Sequence, residues 1–140
     1  MTFNEIFAQV TSLSMDERVE FASRAFGELW EGCKVAGFSD ETISYFVTNI
    51  LKAAVSADRF TSEQERLLYN ALFQTNLTYK QFFDKTNGGS GKRFAEAMDE
   101  VVDRLPESAK RGACSLALAF MSADGQLTDE EKELFVRFLG

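Results

Sequence analysis

Four carboxylates, Asp58, Glu65, Asp124 and Glu131, stand at matched places in a phrase that the chain contains twice, and acids so placed can hold a hard cation. The first copy is Ser56-Ala57-Asp58, followed by Arg59-Phe60-Thr61-Ser62-Glu63-Gln64-Glu65. The second is Ser122-Ala123-Asp124, followed by Gly125-Gln126-Leu127-Thr128-Asp129-Glu130-Glu131. Each closes an apolar helical stretch and leads into an acid-rich helix start. An Asp at or just past a helix C-terminus lies among unpaired carbonyls at the negative end of the macrodipole, where a cation is favoured and a carboxylate is not. Turn carbonyls, the Asp and a Glu in the next helix's first turn then offer the all-oxygen surroundings that Ca²⁺ or Mg²⁺ accept. The competing expectation needs no metal. The dipole stabilises acids at a helix start, Glu65 and Glu131 can act as capping partners, and Asp is a common turn residue.

Other chemistries are poorly supplied. The chain has no histidine, which removes the usual near-neutral acid/base and the commonest metal ligand. Cys33 and Cys114 are solitary and sit in apolar helical contexts, so they read as buried, reduced thiols. An EF-hand also fails. With Gly125 at loop position six, position one would be Phe120 and position three Ser122, and the first copy has Arg59 in place of the glycine. Asn87-Gly88-Gly89-Ser90-Gly91 before Lys92-Arg93 reads as a connector. It is no P-loop, because no strand precedes it and no Ser or Thr follows the lysine. Phe- and Met-rich helices read as core before they read as a lipid or cofactor pocket, so a non-enzymatic protein is expected.

The elements that must position the acids announce their starts. Ser/Thr-x-x-Glu/Gln, which satisfies two helix-start donors reciprocally, occurs at Thr2/Glu5, Ser14/Glu17, Ser62/Glu65, Thr78/Gln81 and Thr128/Glu131. Ser39-Asp40-Glu41 and Pro106-Glu107 mark two more starts, the proline preorganised for the first turn. About seven helices are expected, one of them following the Gly-rich segment. Val19, Ala22, Phe26, Leu29, Trp30 and Cys33 share a helical face; so do Ile43, Phe46, Val47, Ile50, Leu51 and Ala54, and so do Phe94, Met98, Val101, Val102 and Leu105. Residues 113–121 are apolar nearly all round, as in a central helix.

Composition sets the outer bounds. With 140 residues, 45% of them hydrophobic, the expectation is one all-α domain over residues 1–140, with 14 Phe as the main core filler. A net charge of -7 argues against nucleic-acid binding and favours a protein partner, a basic one included. The bases of the middle third, Lys80, Lys85, Lys92, Arg93, Lys110 and Arg111, are interleaved with acids and read as solvated helix faces. Met1-Thr2-Phe3-Asn4-Glu5 lacks a basic region followed by an apolar stretch, and the longest uncharged run, Gly112 to Ala123, is too short to span a bilayer. A cytoplasmic protein without stable membrane insertion is expected.

Aligned without gaps at a separation of 66 residues, the two copies match Leu68 with Leu134 as well as Glu65 with Glu131. Similar residues face each other at Glu63 and Asp129, Arg66 and Lys132, and Tyr69 and Phe135. A one-residue gap would instead pair Thr61 with Thr128 and Glu63 with Glu130, so two registers are open. The phrase Ala-Asp-Gly-x-Leu-Thr-x-x-Glu at 123–131, its degenerate partner at 57–65 and the helical pattern between them resemble the TerB-like tellurite-resistance family over about residues 40–140. The resemblance implies an all-α domain of about seven helices with an internal helix-turn-helix pseudo-repeat. It also implies divalent-cation binding through Asp124 and Glu131 and through Asp58 and Glu65, and a stress- or tellurite-resistance role. The first copy departs from the pattern, with Arg59 for glycine and Thr61 at the apolar position; Arg59 could supply the charge that a metal would otherwise provide.

Overall fold

The helix starts read from the sequence become real caps. In the computed structural model, which describes residues 2–56, 63–86, 94–122, 127 and 129–139, the Thr2 hydroxyl accepts from the Glu5 amide. Reciprocal capping boxes form at Ser14/Glu17 and Thr78/Gln81. The Ser39 hydroxyl accepts from the Thr42 amide. Pro106 takes the N-cap position, one place earlier than expected, with ψ of 153°. Eight helices result among the described residues: α1 (Phe3–Thr11), α2 (Met15–Val35), α3 (Asp40–Ser56), α4 (Glu63–Phe73), α5 (Tyr79–Thr86), α6 (Phe94–Arg104), α7 (Glu107–Met121) and α8 (Asp129–Leu139). A helix begins at each of the starts read from the sequence, although Ser62 and Thr128, the first residues of two of the expected boxes, lie outside the described residues.

Helix ends are equally local in origin. After α2, Gly37 adopts φ +91° while its amide bonds Lys34 O at 3.0 Å and the Phe38 amide bonds Cys33 O at 3.0 Å. This is a Schellman closure, which needs the left-handed conformation that glycine adopts freely. Gln74 takes the same place after α4, at φ 54°.

The expected core faces are buried. All six named residues of α3 and the apolar stretch of α7 lie inside, as do Met98, Val101, Val102 and Leu105 at α6 and just past it. On α2 the stripe is rotated. Its centre is Arg18, Ala22, Ala25, Leu29, Gly32 and Cys33, while Val19, Phe26 and Trp30 stand at the rim. The reason is the approach of α7. A Cβ on Gly32 would lie 2.9 Å from Ala109 N, and one on Gly112 would lie 2.7 Å from Leu29 N and 2.9 Å from Ala25 O. The two backbones touch, so small residues line the seam.

Packing is reciprocal between two halves, α1–α4 and α5–α8. α2 packs on α7 as α6 packs on α3, α2 on α4 as α6 on α8, and α1 on α8 as α5 on α4, with α3 against α7 between them. The aromatic contacts repeat the exchange: Phe3 of α1 stacks on Phe135 of α8 with centroids 5.8 Å apart, and Phe82 of α5 meets Tyr69 of α4 at 5.3 Å. The expected pseudo-repeat is thus present and extends to the first helix. No helix among the described residues is long and apolar enough to cross a membrane.

The seam predicts opposite signs for two alanine substitutions. Gly112→Ala should destabilise by about 1–3 kcal/mol or more, because the new methyl meets backbone. Gly27→Ala, at an exposed position of α2 with nothing within 4 Å of the added Cβ, should stabilise, by about 1 kcal/mol. Urea unfolding of both variants checks the pair.

Candidate functional site

The acidic turns lead into helices that match residue for residue. α4 and α8 each have 11 residues, and α8 begins and ends 66 positions after α4. Three buried positions coincide as well, Glu65, Leu68 and Tyr69 on α4 with Glu131, Leu134 and Phe135 on α8, while Leu139 is buried and its counterpart Phe73 half-buried. The ungapped register is therefore the structural one. Asp58 and Asp124 fall in 57–62 and 123–126, outside the described residues, beyond the last residues of α3 and α7.

Glu65 and Glu131 are the described members of the candidate set. Each is the third residue of its helix, and they are 0% and 7% exposed. Other helices of the same chain show what ordinary capping requires at that position. Glu5, Glu17, Thr42 and Gln81, third in α1, α2, α3 and α5, are all exposed. The Ser14 amide and hydroxyl hold the Glu17 carboxyl below its usual pKa while it stays in solvent. A capping carboxylate thus has no need of burial, and burying one is costly unless it is paired or coordinated. Leu68 and Tyr69, three and four residues after Glu65, turn that face inward, as Leu134 and Phe135 do after Glu131. Neither carboxylate is free. Among the described residues no three His, Cys, Asp or Glu side chains gather as a metal-holding group.

The neighbouring acid of the first turn is already engaged. Glu63 accepts from Arg66, whose guanidinium lowers the Glu63 pKa, and Arg66 Nη1 also donates to Leu77 O at 3.0 Å. Asn70 completes this brace, its Oδ1 accepting from the Leu77 amide and its Nδ2 donating to Leu77 O, both at 3.0 Å. The loop from α4 to α5 is thereby tied to α4.

At the second turn the structure contributes a charge that sequence patterning did not single out. Arg18 of α2 is 5% exposed, and its guanidinium reaches the C-terminal end of α7. Nη1 donates to Ser122 Oγ at 2.6 Å and to Ala119 O at 3.3 Å, while Nη2 donates to Val10 O at 2.9 Å and Thr11 O at 3.4 Å. A cation at the end of α7 is what the unpaired carbonyls favour. The only sequence signal was an arginine one residue after a capping-box glutamate and at i, i+4 spacing from Ala22 of the buried stripe.

No family model matches the chain, and no curated protein and no solved structure matches it.

The two thiols are placed for packing. Cys33 and Cys114 are both fully buried and free of disulfide bonding. Burial raises both thiol pKa values, that of Cys114 to about 12. A thiol kept neutral is a poor nucleophile. Of the middle-third bases, Lys110 pairs with Glu107 at 2.9 Å and Lys85 lies over the Tyr69 ring at 5.7 Å, as expected of helix faces.

The Cys114 shift has a definite sign in stability. An unfolded chain ionises this thiol near 9 and the native state only near 12, so the native state is favoured in full below pH 9 and loses that advantage as pH rises from 9 to about 12. Chemical denaturation across that window should show wild-type stability falling more steeply than that of Cys114→Ala. Parallel slopes would refute it.

Proposed function

We propose that this chain is a non-enzymatic binding module with a divalent-cation site for Ca²⁺ or Mg²⁺ at its acidic turns, drawn from Asp124 and Glu131 and from Asp58 and Glu65. One observation carries the reading: the third helix residue is a buried carboxylate after both turns, whereas the polar residues at that position in α1, α2, α3 and α5 are exposed. Hard cations take carboxylate oxygens, and each of these glutamates follows the Asp of its phrase by seven residues. The resemblance of 123–131 to the TerB-like family adds a role in stress or tellurite resistance. The net charge of -7 favours a protein partner with basic character.

A second reading, a structural or protein-interaction domain without metal, is favoured by Arg18. Its guanidinium already provides positive charge at the carbonyls that end α7, one of the roles assigned to a cation there.

Calcium and magnesium titration followed by thermal melting separates the two. On the cation reading, millimolar metal raises the melting temperature of chelator-treated protein; the stabilisation is about 2.7 kcal/mol at a hundredfold excess over Kd. Asp124→Asn and Glu131→Gln should abolish the rise, and Glu65→Gln reports whether the first turn takes part. An unchanged melting temperature in the wild type, with no heat of binding, would leave the structural reading.

A further inference from the structure

Arg18 joins two parts of the chain that sequence separates by about a hundred residues, and it does so with different prongs of one fork. Nη1 serves the end of α7, at Ala119 O and Ser122 Oγ; Nη2 serves the end of α1, at Val10 O and Thr11 O. Ser122 is both the C-cap of α7 and the first residue of the second acidic phrase. The other end of α1 is held on the far side of the same turn. Phe3 stacks on Phe135 of α8 with ring planes 11° apart. α1 therefore contacts the helix after the turn directly and the helix before it through Arg18.

We infer that Arg18 is a positioning residue for the end of α7, the helix that leads into the second acidic phrase, transmitting the seating of α1 to that end and back. The functional half of this rests on the cation reading of that turn. A planar guanidinium can hold two helix ends at once in fixed directions, and a lysine ammonium cannot reproduce that fork. Because a coupling between two sites acts equally in both directions, a cation that binds at the second phrase and favours the seated end of α7 must tighten α1, and loosening α1 must weaken the cation.

Hydrogen exchange on the full chain tests this, with α1 as the reporter. Arg18→Lys keeps the charge but loses the fork. Ser122→Ala removes one acceptor of Nη1 and leaves Arg18 itself intact. Both should speed exchange of the Phe7–Ser12 amides about tenfold, the order expected for losing one charge-assisted hydrogen bond, while amides of the buried α7 centre keep their wild-type rates. Equal acceleration in α1 and α7 would mean only global destabilisation and would overturn the proposal, as would wild-type α1 exchange in both variants.

Added Ca²⁺ supplies the second arm. In the wild type it should slow α1 exchange, and in Arg18→Lys this slowing should disappear. Calcium bound by calorimetry with no effect on α1 overturns the positioning role. Absence of any calcium or magnesium binding overturns the cation reading instead, and the tie between α1 and the turn then stands or falls on the two metal-free variants.

Discussion

The contact on which the other contacts depend is the crossing of α2 and α7, where backbone meets backbone at Gly32 and Gly112. Each glycine lies in a helix interior, where it costs about 1 kcal/mol relative to alanine, so its presence there has to be offset by what close approach permits. What it permits is register. Gly32 faces Ala109, Leu29 and Ala25 face Gly112, and Arg18 reaches Ala119 and Ser122, so the helices run antiparallel with matched positions along the seam. From Gly32 the buried positions of α2 step back through Leu29, Ala25 and Ala22 to Arg18 at spacings of three and four. A slip of one turn at the glycines would carry the guanidinium off the end of α7 and leave a buried charge without acceptors, which is strongly destabilising. The small-residue seam and the polar cap thus enforce the same register from opposite ends.

Much of this was legible in the residues because its causes are local. Capping boxes announce helix starts, since the groups that satisfy each other lie three residues apart, and both described complete boxes formed where the sequence placed them. The apolar faces of α3 and α7 followed from period alone. The stripe of α2 was displaced for a reason that period does not contain. Val19, Phe26 and Trp30 are the larger apolar groups, yet a helix crossing at backbone contact turns its smallest residues inward and leaves the bulky ones at the rim. Arg18 was hidden for a related reason. An arginine reads as surface unless its acceptors are known, and those acceptors come from helix ends at Val10, Thr11 and Ala119.

At the candidate site, the pairing of Glu65 with Glu131 was readable from the repeat, while their burial was not. Spacing says that a glutamate is third in its helix; it does not say which way the helix is rolled. The roll is set by Leu68 with Tyr69 and by Leu134 with Phe135, and by Phe82 and Phe3, which cover those aromatic rings from the other half. The exchange of covering helices therefore carries both acids inward. A solitary helix-turn-helix would have no such cover for its third residue, so the burial belongs to the paired halves.

The halves are nevertheless unequal at the point that matters for charge. α2, of 21 residues, carries Arg18 to the end of α7, whereas α6, packed in the corresponding way on α3, has only 11 residues. The first phrase carries Arg59 where the second carries Gly125. In the second half the arginine at the helix end comes from α2, and the phrase itself carries glycine at that place. A guanidinium supplied from behind the helix end can satisfy carbonyls without taking a place in the turn itself, and the second phrase accordingly keeps both its acidic residues and its glycine.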